Sequence, residues 1–209
     1  MKVYSVKPIS AQQQPLTWNA ESWTSADLVV DFCYPWEPEF PPPMRFRALH
    51  DPNWLYLRYD VEDGVPLVYV AKNAKPEILQ SDRVEIFFRK DERMNPYYCL
   101  EVDPLARVYD YQAVYHRQFN VQWFWPADQL QASSHQTQEG YVVTLAVSKK
   151  SLMDFGLLDG GRLQVGLFRG KCVAIHPDES EMKWISWVEP DSTTPDFHIP
   201  SAFGSFELL

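Results

Sequence analysis

Nothing in this 209-residue sequence approaches the roughly 20 consecutive apolar residues needed to span a bilayer as a helix, so a membrane-embedded helical protein is not expected. Positive charge is also scarce: 19 Lys and Arg stand against 28 Asp and Glu, a formal net charge of -9. That balance argues against nucleic acid and anionic lipid, whose binding draws on counterion release and basic patches. Cysteine is sparse as well. Cys33, Cys99 and Cys172 are odd in number, widely spaced and without a C-x-x-C pair, which excludes a disulfide framework or a zinc knuckle. The opening residues lack an apolar signal-peptide core, giving a cytoplasmic expectation, or a secreted one if a leader precedes them. No G-x-S-x-G elbow, H-E-x-x-H helix, phosphate loop or dinucleotide fingerprint occurs, and the five histidines, His50, His116, His135, His176 and His198, are scattered.

What the sequence does have is aromatic surface and two-residue alternation. Aromatic residues make up 15% of the chain, including eight Trp and eleven Tyr, which suits either a Trp-rich core or a face that stacks on a neutral polar ligand. Helical periodicity is scarce, and the alternation predicts one all-β domain over 1–209, an antiparallel β-sandwich with jelly-roll-like order. Leu28–Phe32 reads as an early strand and the proline-rich stretch from Tyr34 to Pro43 as a loop, because proline cannot donate to a ladder. A hairpin turns at Asp51-Pro52-Asn53 between residues 44–49 and 54–61.

Val84, Ile86 and Phe88 should face one way and Glu85, Phe87 and Arg89 the other, with Tyr97 to Asp103 as the pairing strand. Further strands are expected over Arg107 to Val114, Tyr141 to Val147, from Gly161 to about Arg169, over Lys183 to Val188 and over Phe203 to Leu208. One short helix should start at Ser148 as N-cap, turn Leu152 and Phe155 inward, and stop at Gly156.

Two segments carry a family resemblance. The strand Asp82-Arg83-Val84-Glu85-Ile86-Phe87-Phe88, and the tail Ile185-Ser186-Trp187 through Pro195-Asp196-Phe197-His198 to Pro200-Ser201-Ala202-Phe203-Gly204, resemble family 9 carbohydrate-binding modules. The resemblance covers most of the chain from about Leu28. It implies the same sandwich, non-catalytic binding of a mono- or oligosaccharide, and no obligatory cofactor. It also implies that Glu85 takes sugar hydroxyls and that Phe197 is one wall of an aromatic clamp. The family's opposite wall is Trp where this chain has Leu79, and its next strand carries Arg where this chain has Glu101, so the sugar need not be a glucan reducing end. Family members can hold structural calcium, for which Asp60, Glu62 and Asp63 or Asp178, Glu179 and Glu181 are the candidate ligands.

The sugar-binding set is thus Glu85, Phe197, Arg58, Glu101, His198 and Trp36. Each has a plainer alternative. Glu85 could be a sheet-face charge paired with Arg58 or Arg89, Phe197 a plug of the sandwich end, His198 a cap on a backbone carbonyl, and Trp36 with Phe40 a strap over a sheet edge. Trp123 and Trp125 share one side, either buried or presented together. Two other functions stand beside saccharide binding: a structural or protein-interaction sandwich without a sugar site, and a glycoside hydrolase using Glu85 and Glu101 as facing carboxylates.

Overall fold

In the computed structural model, which describes residues 1–9, 20–177 and 179–209, the alternating segments form twelve strands. In chain order they are β1 (Val3–Pro8), β2 (Met44–His50), β3 (Trp54–Glu62), β4 (Arg83–Arg89), β5 (Tyr97–Val102) and β6 (Val108–Val114). There follow β7 (Gln118–Asn120), β8 (Leu130–Gln136), β9 (Gly140–Ser148), β10 (Arg162–Ile175), β11 (Ser180–Ser186) and β12 (Gly204–Leu208). The first sheet runs β7-β6-β5-β4-β10, and the far edge of β10 is shared by β12 and β11. The second runs β2-β3-β9-β8. Strand β1 joins them, pairing parallel with β12 through Val3 to Val6 and then parallel with β2 through Lys7 and Pro8. All other pairings are antiparallel.

Period two decides what lies between the sheets. Val84, Ile86 and Phe88 of β4, Leu100 of β5 and Leu167 of β10 meet Phe46 of β2, Leu57 and Tyr59 of β3 and Val143 and Leu145 of β9 in one buried cluster. Each fully buried side chain of this size contributes about 1.5–3 kcal/mol. Trp187 belongs to this core, and Trp125 lies buried in it with Trp123 packed alongside, which settles the tryptophan pair in favour of burial. The three cysteines are free. Among the described residues no helix is long and apolar enough to cross a membrane.

The helix α1 (Lys149–Asp154) follows β9 as the sequence predicts: the Ser148 side chain accepts from the Lys150 N–H at 3.2 Å, and Gly156 ends the turn with φ +68°. The hairpin at Asp51 is present, its carboxylate accepting from the Asn53 and Trp54 amides. Several outcomes differ from the sequence reading, among them the unexpected strand β7 and a β10 that runs to Ile175 rather than to about Arg169. Leu28–Phe32 forms no ladder, because the chain bridges once to the second sheet at Val29–Phe46 and then crosses to the first at Cys33–Ser186. Strand β1 went unread because it is short and divided between two sheets. Strand β8 is an edge of mostly polar residues, Gln131, Ser133, Ser134 and His135, with only Leu130 and Ala132 as an apolar alternation to reveal it.

Candidate functional site

The outward side of the first sheet is not left to water. Arg83, Glu85 and Phe87 of β4, Tyr97, Cys99 and Glu101 of β5, and Tyr109 and Tyr111 of β6 all point that way and are buried, although they alternate with core residues. A second apolar cluster covers them, formed by Ile78, Phe168, Phe197, Ala202 and Phe203, with Trp36, Trp184 and Ile199 packed against it. Two glycines of β10 make this layer fit. A Cβ at Gly166 would lie 2.3 Å from the Phe168 ring, and one at Gly170 would lie 3.0 Å from the Arg83 guanidinium. The ring of Phe168 therefore lies flat enough for Phe197 to stack on it, with centroids 4.1 Å apart and planes 12° apart.

The cover is incomplete. A cleft of about 190 Å³ opens between it and the sheet, with Arg83, Glu85 and Glu101 deepest and Leu79, Phe119 and Trp184 at more exposed positions around them. Phe197 and His198 form one side. A smaller hollow of about 90 Å³, lined by Trp36, Pro195 and Asp196, adjoins it and shares Arg117, Trp184, Phe197 and His198.

Glu85 and Glu101 are direct cross-strand partners on β4 and β5. The guanidinium of Arg83 lies between them. Its Nε donates to Glu101 Oε2 at 2.5 Å, while Glu85 Oε1 sits 3.1 Å from the same nitrogen without a hydrogen bond, because the N–H is directed at Glu101. Arg83 Nη1 is spent on the Leu79 and Ser81 carbonyls, and Tyr111 Oη donates to Glu101 Oε1 at 2.9 Å. Burial, reinforced by the neighbouring charge of Glu101 and only partly opposed by Arg83, holds Glu85 well above the usual carboxylate range. Burial works against the charge of Arg83, but Glu101 and then Glu85 outweigh it and keep the guanidinium protonated. Burial, then the charge of Arg117, lowers His198 from 6.5 to about 3, so its ring is neutral. Its Nδ1 lies 3.0 Å from Tyr97 Oη, and its ring stacks on Phe87.

The raised position of Glu85 has a consequence for stability. In the fold the group holds its proton above the ordinary value of 4.5, so its contribution is complete below that value and drains away as pH rises through the folded one. Replacing it with neutral glutamine removes this dependence. In urea titrations across a pH series, wild type should lose stability relative to Glu85→Gln as pH climbs above about 4.5, whereas parallel curves would mean that the carboxyl is solvated.

Of the six residues expected to bind, the structure gathers Glu85, Glu101, Phe197 and His198 around the cleft and sets Trp36 in the adjoining hollow. Arg58 is a correction. Tyr59 points into the core, where its hydroxyl donates to the Glu85 carbonyl, so Arg58 must face outward from the second sheet, where it is hydrogen-bonded to Asp60. The whole sandwich core separates it from Glu85. The cation beside Glu85 is Arg83, neither Arg58 nor Arg89, and Arg89 is engaged by Gln164 and the Pro200 carbonyl. Phe197 is 5% exposed and hemmed by Phe168, Trp36 and Trp184, so it offers little free ring face. His198 does not cap a carbonyl through its ring; Nδ1 meets the Tyr97 hydroxyl. Trp36 packs on Phe197 and donates from Nε1 to the Ser192 carbonyl at 2.9 Å, while Phe40 is 97% exposed.

The first candidate calcium loop is committed to the protein's own cations: Glu62 to Arg45, Asp60 to Arg47 and Arg58, and Asp63 to Arg169 and Lys171. Of the second set, Asp178 lies outside the described residues. Among the described residues no three His, Cys, Asp or Glu side chains converge.

Arg83, Tyr111, Trp184 and Phe119 were not anticipated. A signal existed for the first, since Arg83 is two residues from Glu85 and must share its side of the strand. Tyr111 sits at the matching parity of β6, but Trp184 on β11, paired with Gly170, and Phe119 in the β6–β7 hairpin reach the cleft through strand pairings that local pattern does not encode.

A family model described as "carbohydrate family 9 binding domain-like" matches residues 17–209. The chain belongs to that family. No curated protein sequence matches it. Among solved structures it is similar to a candidate carbohydrate-binding protein from Bacteroides uniformis ATCC 8492, with a TM-score of 0.75, 15% identity, and coverage of 100% of this chain and 99% of that one. It is also similar to a family 9 carbohydrate-binding module from Caldicellulosiruptor kristjanssonii in complex with cellotriose, with a TM-score of 0.63, 14% identity, and coverage of 99% and 93%. The glucose complex of a module from the same organism gives a TM-score of 0.59 and 15% identity, covering 100% and 96%. At these identities the likeness establishes the sandwich fold of the family.

Proposed function

We propose that the protein binds carbohydrate in the cleft over β4 and β5, without transforming it. The observation that carries this reading is the Glu85 carboxyl: buried at the floor of an open cleft and, although 3.1 Å from Arg83 Nε, without a hydrogen bond at Oε1, it has bonding capacity left for a partner. A sugar hydroxyl supplies one. Glu101 and the His198 ring lie within the same cleft for neighbouring hydroxyls, and carboxylates are suited to adjacent hydroxyl pairs. The apolar face of the sugar rests against Phe119, Trp184 and Leu79, whose exposure leaves ring and methyl surface free. Phe197 supports that wall from behind, and Trp36 lines the hollow into which a second sugar unit would extend.

A cleft of about 190 Å³ is below the ~300–1,000 Å³ of pockets that engulf drug-sized ligands. It suits one pyranose, with the rest of any chain at the surface. The membership of the family and the cellotriose and glucose complexes of its structural relatives support the same ligand class. Each exchanged hydrogen bond has a net worth of only about 1 kcal/mol, so affinity should be on the order of micromolar to millimolar.

Isothermal titration against a panel of mono- and oligosaccharides tests the reading. At least one saccharide should bind, Glu85→Ala should weaken it about tenfold or more, and Arg45→Ala, on the outward face of the second sheet, should leave it unchanged. A panel without binding at millimolar concentration contradicts the proposal.

A further inference from the structure

We infer that the cleft prefers a sugar carrying a free amine, such as a 2-amino-2-deoxyhexose, over its neutral parent, an inference that rests on the saccharide reading above. The ground is a charge count. Glu85 and Glu101 face each other across β4 and β5, and among the described residues Arg83 is the one cation within ion-pair distance of either. Two carboxylates thus share one guanidinium. The sharing is unequal: Glu101 receives the Arg83 Nε–H and the Tyr111 hydroxyl, while Glu85 Oε1 receives no hydrogen bond.

The surroundings do not make up the deficit. Arg117 at the cleft is paired with Asp196, which also takes His116. His198 is neutral, and burial keeps the Tyr109 and Tyr111 hydroxyls and the Cys99 thiol protonated. In the empty cleft the spare negative charge is therefore cancelled by a proton on Glu85, whose affinity burial and Glu101 raise. A sugar hydroxyl supplies a donor but leaves the charge to the proton. An ammonium supplies both. On binding, the Glu85 carboxyl gives its proton to solvent and the resulting carboxylate pairs with the ammonium, so one proton is released per ligand bound. The same count disfavours a uronic acid, whose carboxylate would add a negative charge where the one guanidinium is already paired with Glu101.

The test is calorimetry on the whole protein with D-glucosamine, D-galactosamine, D-glucose, D-galactose and N-acetyl-D-glucosamine. At about pH 6 a sugar amine resembling an α-amino group is charged. An amino sugar should bind about tenfold or more tightly than its hydroxyl and N-acetyl counterparts, as a charge-assisted hydrogen bond implies. The measured enthalpy should vary with the ionisation enthalpy of the buffer in the sense of proton release, and affinity should rise with pH through the acidic range. Glu85→Gln should bring the amine-to-parent ratio to about one, and Glu101→Gln, which leaves one carboxylate per guanidinium, should do the same. A neutral parent that binds as tightly as its amine, or a preference that survives both variants, overturns the inference while sparing saccharide binding. Absence of binding by every sugar tested overturns both.

Discussion

Replacing Arg83 with methionine is expected to cost about 3–5 kcal/mol of stability at neutral pH and to abolish saccharide binding. The methionine fills much of the volume, so the loss is electrostatic rather than a cavity effect. Arg83 is 4% exposed and is the counterion of Glu101; without it a buried carboxylate keeps only the Tyr111 hydroxyl as partner. Acid neutralises an unpaired carboxylate, so the penalty should shrink as pH falls toward about 4.5 and below. Urea unfolding of the variant and wild type at neutral and acidic pH measures this directly. A loss below about 1 kcal/mol at neutral pH would place the trio in solvent.

Arg169→Met should be comparably severe, at the opposite side of the same sheet. Period two sends Arg169 inward beside Leu167, where it is fully buried. Its Nε and Nη2 bond Asp82 at 3.1 and 2.8 Å, Nη2 also reaches Asp63 at 2.5 Å, and the Tyr141 hydroxyl donates to the same Asp82 carboxylate. Asp63 keeps Lys171 when the arginine is removed, but Asp82 is left as a buried anion without a cation, at a cost of about 3–5 kcal/mol. The double variant Arg169→Met, Asp82→Asn removes both charges and should recover much of the loss, since a buried pair is worth little against neutral replacements of similar shape. A double variant as unstable as the single one would mean that the guanidinium acts by packing.

Much of the fold was legible because one physical rule governs it: strands that bury one side alternate. The hairpin of β2 and β3, the pairing of β4 with β5, and the capped helix after β9 were all readable from residue type at fixed spacing. The rule failed where its premise failed. Segment 28–32 has apolar residues but no continuous neighbour to pair with, and β8 has a neighbour but few apolar residues.

The site divides the same way. Glu85, Glu101, Phe197 and His198 came from a family motif and meet at one cleft. Arg58 did not, because strand parity alone cannot say which of two sheets a residue belongs to. The second buried layer was hidden for a related reason: Phe87 beside Phe88 signals that both sides of β4 are covered, but the cover arrives from Phe197 and Phe203, more than a hundred residues later. The position given as a lost clamp wall, Leu79, still lines the cleft, and Phe119 and Trp184 supply aromatic surface that the motif does not describe.

Occupancy of the cleft by saccharide is tested most directly by following the tryptophan indole N–H resonances during titration with a bound sugar. Trp184 lines the cleft and Trp36 the adjoining hollow, whereas Trp54, Trp123 and Trp125 pack elsewhere. Saturable shifts at Trp184, smaller ones at Trp36, and none at Trp54, Trp123 or Trp125 are the predicted result. Shifts confined to Trp54, or binding that leaves Trp184 and Trp36 unmoved, would contradict it.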